Sequence, residues 1–137
     1  WKGRLVLKGV LDKNDARIAR ESGVDGIIVS NHGGRQLDGA VAPLDALPRI
    51  VSAVPGLPVM LDGGVRRGTD VLKALALGAR LVFIGRPAMY GLACGGQVGV
   101  EKVVRHLVRE IDIDLALLGC PSTAQLDRSY LSLASRL

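Results

Sequence analysis

Gly26-Ile27-Ile28-Val29-Ser30-Asn31-His32-Gly33-Gly34-Arg35-Gln36-Leu37-Asp38-Gly39 is the stretch on which the reading of the chain turns. Ile27, Ile28 and Val29 form a continuous β-branched run, as in a strand covered on both faces. A hydroxyl, an amide, an imidazole, a guanidinium and a carboxylate then follow between Ser30 and Asp38. Gly33 and Gly34 let the backbone turn at no steric cost. His32 is one of two histidines in the chain and stands three residues before Arg35. A base that titrates near neutrality beside a permanent cation suits an anionic substrate that must lose a proton. The plainer alternative is a strand-ending turn with a surface histidine.

Working outward, the same pattern recurs. Leu5 to Val10 reads as a first strand, with Lys8 interrupting its apolar run. A cation placed there needs an anion or an electron-rich acceptor, or must reach solvent. Asp12 is a plausible cap for a helix whose face carries Ala16, Ile18 and Ala19 and which stops at Gly23. Asp25 to Ser30 is the second strand. Leu44, Leu47, Ile50, Val51 and Val54 then repeat at helical spacing up to Pro55-Gly56. Pro58 to Asp62 is the third strand. A helix capped by Thr69 or Asp70 follows it and stops at Gly78. Leu81 to Ile84 is the fourth strand. A short helix is expected from Ala88 to Ala93 and a long one from Val98 to Leu118. The inner face of the long helix would carry Val100, Val103, Val104, Leu107, Val108, Ile111, Leu115 and Leu118. A small helix near Ser122 to Leu126 and a loose tail complete the chain. Residues 1–119 thus make four βα units, and 120–137 a C-terminal tail.

Alternating elements imply a parallel sheet with right-handed crossovers. The residues that could do chemistry all fall at the C-terminal ends of strands: Lys8, Ser30 to Asp38, Asp62 to Arg66, and Gly85-Arg86. That is the active face of a (β/α)8 barrel and equally of an open doubly wound sheet. Asp62-Gly63-Gly64-Val65-Arg66-Arg67-Gly68 and Gly85-Arg86 are glycine-rich turns near helix starts. Their backbone N–H groups and arginines suit a phosphate.

Composition narrows the function classes. The chain has 137 residues, enough for one ordinary domain, and 48% of them are hydrophobic. Aromatic residues are only 3%, so the core is aliphatic and base-stacking platforms are scarce. The net charge of +5 is spread over interleaved Lys, Arg and acids, which argues against nucleic acid. Cys94 and Cys120 lack metal-ligand spacing and read as reduced thiols of a cytoplasmic protein. No signal peptide opens the chain, and no apolar stretch reaches the roughly 20 residues of a spanning helix.

The nine residues Ser30-Asn31-His32-Gly33-Gly34-Arg35-Gln36-Leu37-Asp38 resemble the active-site signature of the FMN-dependent L-2-hydroxy acid oxidases and dehydrogenases. That family includes glycolate oxidase, L-lactate dehydrogenase and (S)-mandelate dehydrogenase. The resemblance extends over nearly the whole chain but covers only the C-terminal half of such an enzyme. It implies strands five to eight of a TIM barrel and an FMN cofactor. His32 would be the base, Arg35 the grip on the substrate carboxylate, and Lys8 the cation offsetting charge on the reduced flavin. Ser30 would be a flavin-contacting hydroxyl. Asp62 and Arg66, with Gly63 and Gly64 between them, resemble the ribityl and phosphate contacts, and Gly85-Arg86 a further phosphate contact. Gln36 and Asp38 would brace the loop, while Arg67 and His106 would be surface residues.

The implied reaction is oxidation of an L-2-hydroxy acid to the 2-oxo acid, with oxygen or a quinone or other respiratory acceptor taking the electrons. Residues 66–79, Tyr90-Gly91-Leu92-Ala93 and Leu118-Gly119-Cys120-Pro121 resemble the mandelate and lactate dehydrogenase branch most. The family pattern places the remaining catalytic groups in an N-terminal half not represented here. A homotetrameric parent is implied, with peripheral contact to the inner face of the cytoplasmic membrane through an upstream segment. The chain alone is then expected to be inactive and to associate through uncovered edges. The competing reading is a non-catalytic half-barrel that binds phosphate or assembles with a partner.

Overall fold

The four apolar runs pair as four parallel strands, β1 (Val6–Val10), β2 (Gly26–Val29), β3 (Val59–Asp62) and β4 (Leu81–Phe83). This computed structural model describes residues 1–132. The helices between the strands are α1 (Lys13–Glu21), α2 (Pro43–Ala53) and α3 (Gly68–Ala76), followed by α4 (Arg86–Leu117). Strand order in the sheet is β1-β2-β3-β4, the order in the chain. A doubly wound sheet reverses its order at a switch point. Here there is no reversal, so right-handed crossovers put all three connecting helices on one face, as in a barrel wall.

Ile27 and Val29 of β2 and Val59 and Leu61 of β3 point to that helical face. They are buried with Ala16, Ala46, Leu47, Ile50 and Ala74. The other face would line a barrel interior. Lys8, Ile28, Met60 and Leu81 form one row across it through the strand register. Among the described residues nothing closes over this row, and Leu81 is 48% exposed. The edges are open as well: Val6 and Leu7 of β1 are 42% and 43% exposed, and Phe83 of β4 is 37% exposed.

A bulge in β1 decides where Lys8 points. Lys8 pairs with Ile28 and Val10 with Val29, so Gly9 is the extra residue, at φ 99°. Without it, Lys8 and Val10 would share a face. With it, Lys8 stays on the interior face while Val10 turns into the core, 6% exposed.

Asp12 caps α1, its carboxylate accepting the Asn14 N–H at 2.7 Å. In that helix Ala16 and Ala19 are buried, but Ile18 is 61% exposed and does not join the expected face. For α3 the cap residue is Arg67, not Thr69 or Asp70; the Asp70 carboxylate instead reaches back to the N–H groups of Arg66 and Arg67. The short and long helices expected after β4 form one element, α4, which starts at Arg86 and breaks at Gly95 and Gly96. Its two limbs touch at Gly91 and Gly99, where a Cβ on either would strike the other's backbone. Of the inner face expected on the long limb, only Leu107 is fully buried; Val104 and Val108 are 44% and 52% exposed. The segment after α4 is better packed than a loose tail. Thr123–Gln125 and Arg128–Tyr130 form 3-10 turns, and Cys120 and Leu126 bury against Leu72 and Ala76. The end of the tail, residues 133–137, lies outside the described residues.

Gly68 carries the tightest contact between α3 and α4. A Cβ there would lie 2.6 Å from Cβ of Glu110 and 2.7 Å from the Ile111 nitrogen. Its own N–H donates to the Glu110 carboxylate at 2.7 Å, and Arg67 donates to the same group at 2.9 Å. Arg67 is therefore exposed yet paired, a firmer role than that of a free surface residue. Gly68→Ala is expected to cost about 1–3 kcal/mol through overpacking against rigid backbone. The urea midpoint of the variant, with the chain set in a complete barrel, measures it.

Candidate active site

The C-terminal ends of β2, β3 and β4 open onto a groove of about 460 Å³. His32, Arg35, Asp62, Gly63, Gly64, Arg66, Gly85 and Arg86 all line it. The sequence-derived candidates are thus brought together, apart from Lys8 and Ser30. Those two stand just beneath, joined to the groove through Asp62.

That junction is a compact polar network. Lys8 Nζ lies 2.7 Å from Asp62 Oδ2 and donates to Ser30 Oγ at 3.1 Å. Ser30 Oγ donates to Asp62 Oδ2 at 2.7 Å and accepts the backbone N–H of His32 at 3.0 Å. A hydroxyl has one proton to give and two lone pairs, so these three bonds occupy Ser30 completely. The side chain is buried, and any contact with a cofactor would require one of the bonds to yield.

Asp62 has its carboxyl held below the ordinary carboxylate range. Burial is the largest single influence and pushes the other way. It is outweighed by the hydrogen bonds from Lys8 and Ser30 together with the positive charges of Lys8 and His32. A depressed folded-state value means that this contribution to stability is intact above the unfolded value of about 3.9 and is lost as pH falls through the folded value. The Glu110 carboxyl is lowered too, first by the hydrogen bond from Gly68 and then by Arg67, and adds to the same acid limb. With the chain set in a complete barrel, Asp62→Asn is expected to flatten the fall of the urea midpoint below about pH 4. A variant with the unaltered acid limb would show that the Lys8–Asp62 tie does not contribute.

The loop after β2 begins with a 3-10 turn at His32–Gly34. His32 sits at φ 55°, the one non-glycine residue with positive φ among the described residues. Gly33 and Gly34 follow at φ 66° and 73°, so the glycine pair is required by the path of the chain. His32 and Arg35 are exposed to the groove. Arg86 reaches across from the end of β4 and donates to the Gly33 carbonyl at 3.4 Å. Among the described residues Gln36 and Asp38 form no side-chain hydrogen bond, so the expected bracing by these two is not seen there. The bracing comes from Asn31, whose amide accepts the Gly33 N–H at 3.0 Å and donates to the Val41 carbonyl at 3.4 Å. An Asn two residues before a Gly is a local sequence signal for such a turn, and Asn31 is the functional residue missing from the sequence-based candidates. His106 is exposed on α4, away from this groove, as expected.

Residues 1–133 match the family described as FMN-dependent dehydrogenase, and the chain belongs to that family. It is 58% identical over 130 residues to an L-lactate oxidase of Nostoc sp., covering 94% of this chain and 36% of the relative. It is 55% identical to 2-hydroxyacid oxidase 2 of Homo sapiens, covering 91% of this chain and 36% of the human protein. Among solved structures, an oxidised active mutant of (S)-mandelate dehydrogenase superposes with a TM-score of 0.93 at 47% identity. That match covers 96% of this chain and 37% of the other. A second structure of (S)-mandelate dehydrogenase, described as a monotopic membrane protein, gives the same TM-score. The chain spans little more than a third of the length of these relatives. Its sheet is therefore part of the TIM barrel of that family. Among the described residues no helix is long and apolar enough to cross a membrane.

Proposed function

We propose that this chain is the C-terminal part, little more than a third by length rather than the half expected from sequence, of an FMN-dependent enzyme that oxidises L-2-hydroxy acids of the lactate or mandelate type to 2-oxo acids. The observation that carries this reading is the common groove shared by His32, Arg35 and the two glycine-rich turns. Its walls suit an anionic cofactor on grounds independent of family. Among the described residues Arg35, Arg66 and Arg86 form no ion pair, so three guanidinium charges face one cleft. Gly64 and Gly85 have open space where a side chain would stand, which leaves their backbone accessible.

In this reading Arg66, Arg86, Gly63, Gly64 and Gly85 hold the phosphate end of FMN, and Asp62 and Ser30 lie beneath it. Arg35 grips the substrate carboxylate with a planar fork of donors. His32 takes a proton, either from the substrate hydroxyl or from Cα. Lys8 supplies positive charge close to the reacting centre. Bound FMN would accept the two electrons. The remaining wall of the site and the rest of the barrel belong to the upstream part of the enzyme. A tetrameric parent and peripheral contact with the inner face of the cytoplasmic membrane are further parts of the proposal, the latter favoured by the monotopic relative.

The test needs a complete barrel, made by placing this chain in the position of the matching segment of the Nostoc relative. Aerobic turnover is then followed with L-lactate, L-mandelate and glycolate. Formation of 2-oxo acid with equimolar hydrogen peroxide identifies oxygen as acceptor, and formation only with an added quinone identifies a respiratory acceptor. A folded barrel that oxidises none of the three acids defeats the proposal and favours the non-catalytic half-barrel.

A further inference from the structure

We infer that Asn31 is a positioning residue of this site, its side-chain amide closing the loop 32–41 at both ends and so fixing where His32 and Arg35 stand. The catalytic part of this inference rests on the proposed function. At the start of the loop Oδ1 accepts the Gly33 N–H at 3.0 Å, and at its far end Nδ2 donates to the Val41 carbonyl at 3.4 Å. One half-buried side chain therefore joins backbone groups on either side of a surface loop. Its seat is made by the next strand end, since a Cβ on Gly63 would lie 3.3 Å from Oδ1 and 3.2 Å from Pro43 Cγ.

The conformation of His32 shows what this closure does. A side chain at φ 55° is held there against its preference. Two consecutive bonds impose it: Ser30 Oγ takes the N–H of His32, and Asn31 Oδ1 takes the N–H of Gly33. Ser30 is anchored in the Lys8–Asp62 network, so its bond fixes the root of the loop. Asn31 alone also reaches the exit. With it removed, the entrance keeps its two turn bonds, from the N–H groups of Gly34 and Arg35, and the Arg86 contact on the Gly33 carbonyl, but the tie to Val41 is gone; the loop is then held at one end, and Arg35, which has no ion pair among the described residues, gains freedom with it.

Asn31→Ala and Asn31→Ser in the complete barrel with FMN bound test the inference. Serine keeps an acceptor for the Gly33 N–H but is too short to span to Val41. Two readouts are taken: the rate of tryptic cleavage after Arg35, and kcat and KM for the best substrate. Asn31→Ala is expected to be cut about ten-fold faster, as local opening becomes easier. Its kcat/KM is expected to fall by about 10- to 100-fold through misplacement of the reacting groups. FMN affinity and melting temperature should stay close to those of the unsubstituted barrel, and Asn31→Ser should fall between the two. Cleavage at the unsubstituted rate in Asn31→Ala overturns the closure. Faster cleavage with unchanged kcat/KM overturns the positioning role. An unsubstituted barrel without activity sinks the proposed function instead, and the cleavage rates still decide the closure.

Discussion

Asparagine in place of His32 in the complete barrel is expected to lower kcat/KM for an L-2-hydroxy acid by about 10²- to 10⁴-fold, the range that a positioned general base supplies. The choice of asparagine matters. His32 sits at φ 55°, a region that Asn tolerates far better than most residues. The hydrogen bond that the main-chain N–H of residue 32 donates to Ser30 Oγ survives the change. The imidazole itself is exposed to the groove, so its loss leaves no cavity in the core. What disappears is the group proposed as proton acceptor, while residues 62–66 and 85–86, proposed to hold the phosphate, keep their positions. Rapid mixing with substrate in the absence of oxygen reads the effect as the rate of flavin bleaching. A rate within about three-fold of the unsubstituted protein would remove His32 from the role of base.

The second large effect concerns the sheet. On its own the chain presents two unpaired parallel edges and an uncovered interior face. Val6, Leu7, Leu81 and Phe83 are each more than a third exposed, and Leu5 beside them is 55% exposed. Edges of this kind template further pairing, and apolar faces of this kind associate. The isolated chain is expected to sediment as dimers or larger species and to melt without a sharp transition. Lysine at Val6 and Leu81 should shift the distribution towards monomer, since charge on an edge strand opposes pairing. A monodisperse monomer that melts cooperatively would show that the four-stranded wall is self-sufficient.

The strands were legible because β-branched runs and glycine-rich strand ends are local features; their order in the sheet was not, since the same alternation serves a barrel and a doubly wound sheet, and the family resemblance alone chose between them. The groove was legible for the same reason: every residue lining it from β2, β3 and β4 lies within a few positions of a strand end. Long-range features were not. Hydrophobic spacing on α4 predicted an inner face at Val104 and Val108, but periodicity reports a face without saying what covers it. Ile18 on α1 misled in the same way. The closure of the α3 N-terminus by Glu110, 42 residues away from Gly68, has no local signal at all. Sequence leaves Lys8 three outcomes, an anion, an electron-rich acceptor or solvent, and the bulge at Gly9 with the pairing of β1 through β3 brings Asp62 to it.

The most direct measurement is anaerobic addition of the L and D enantiomers of lactate and mandelate to the FMN-loaded complete barrel, with the flavin bands recorded. Bleaching by at least one L acid and by neither D acid is the expected result. It would mean that the residues this chain contributes, His32, Arg35 and the arginine-lined turns, build a working half of the site. A folded barrel that holds FMN yet is bleached by no L-2-hydroxy acid would contradict the account.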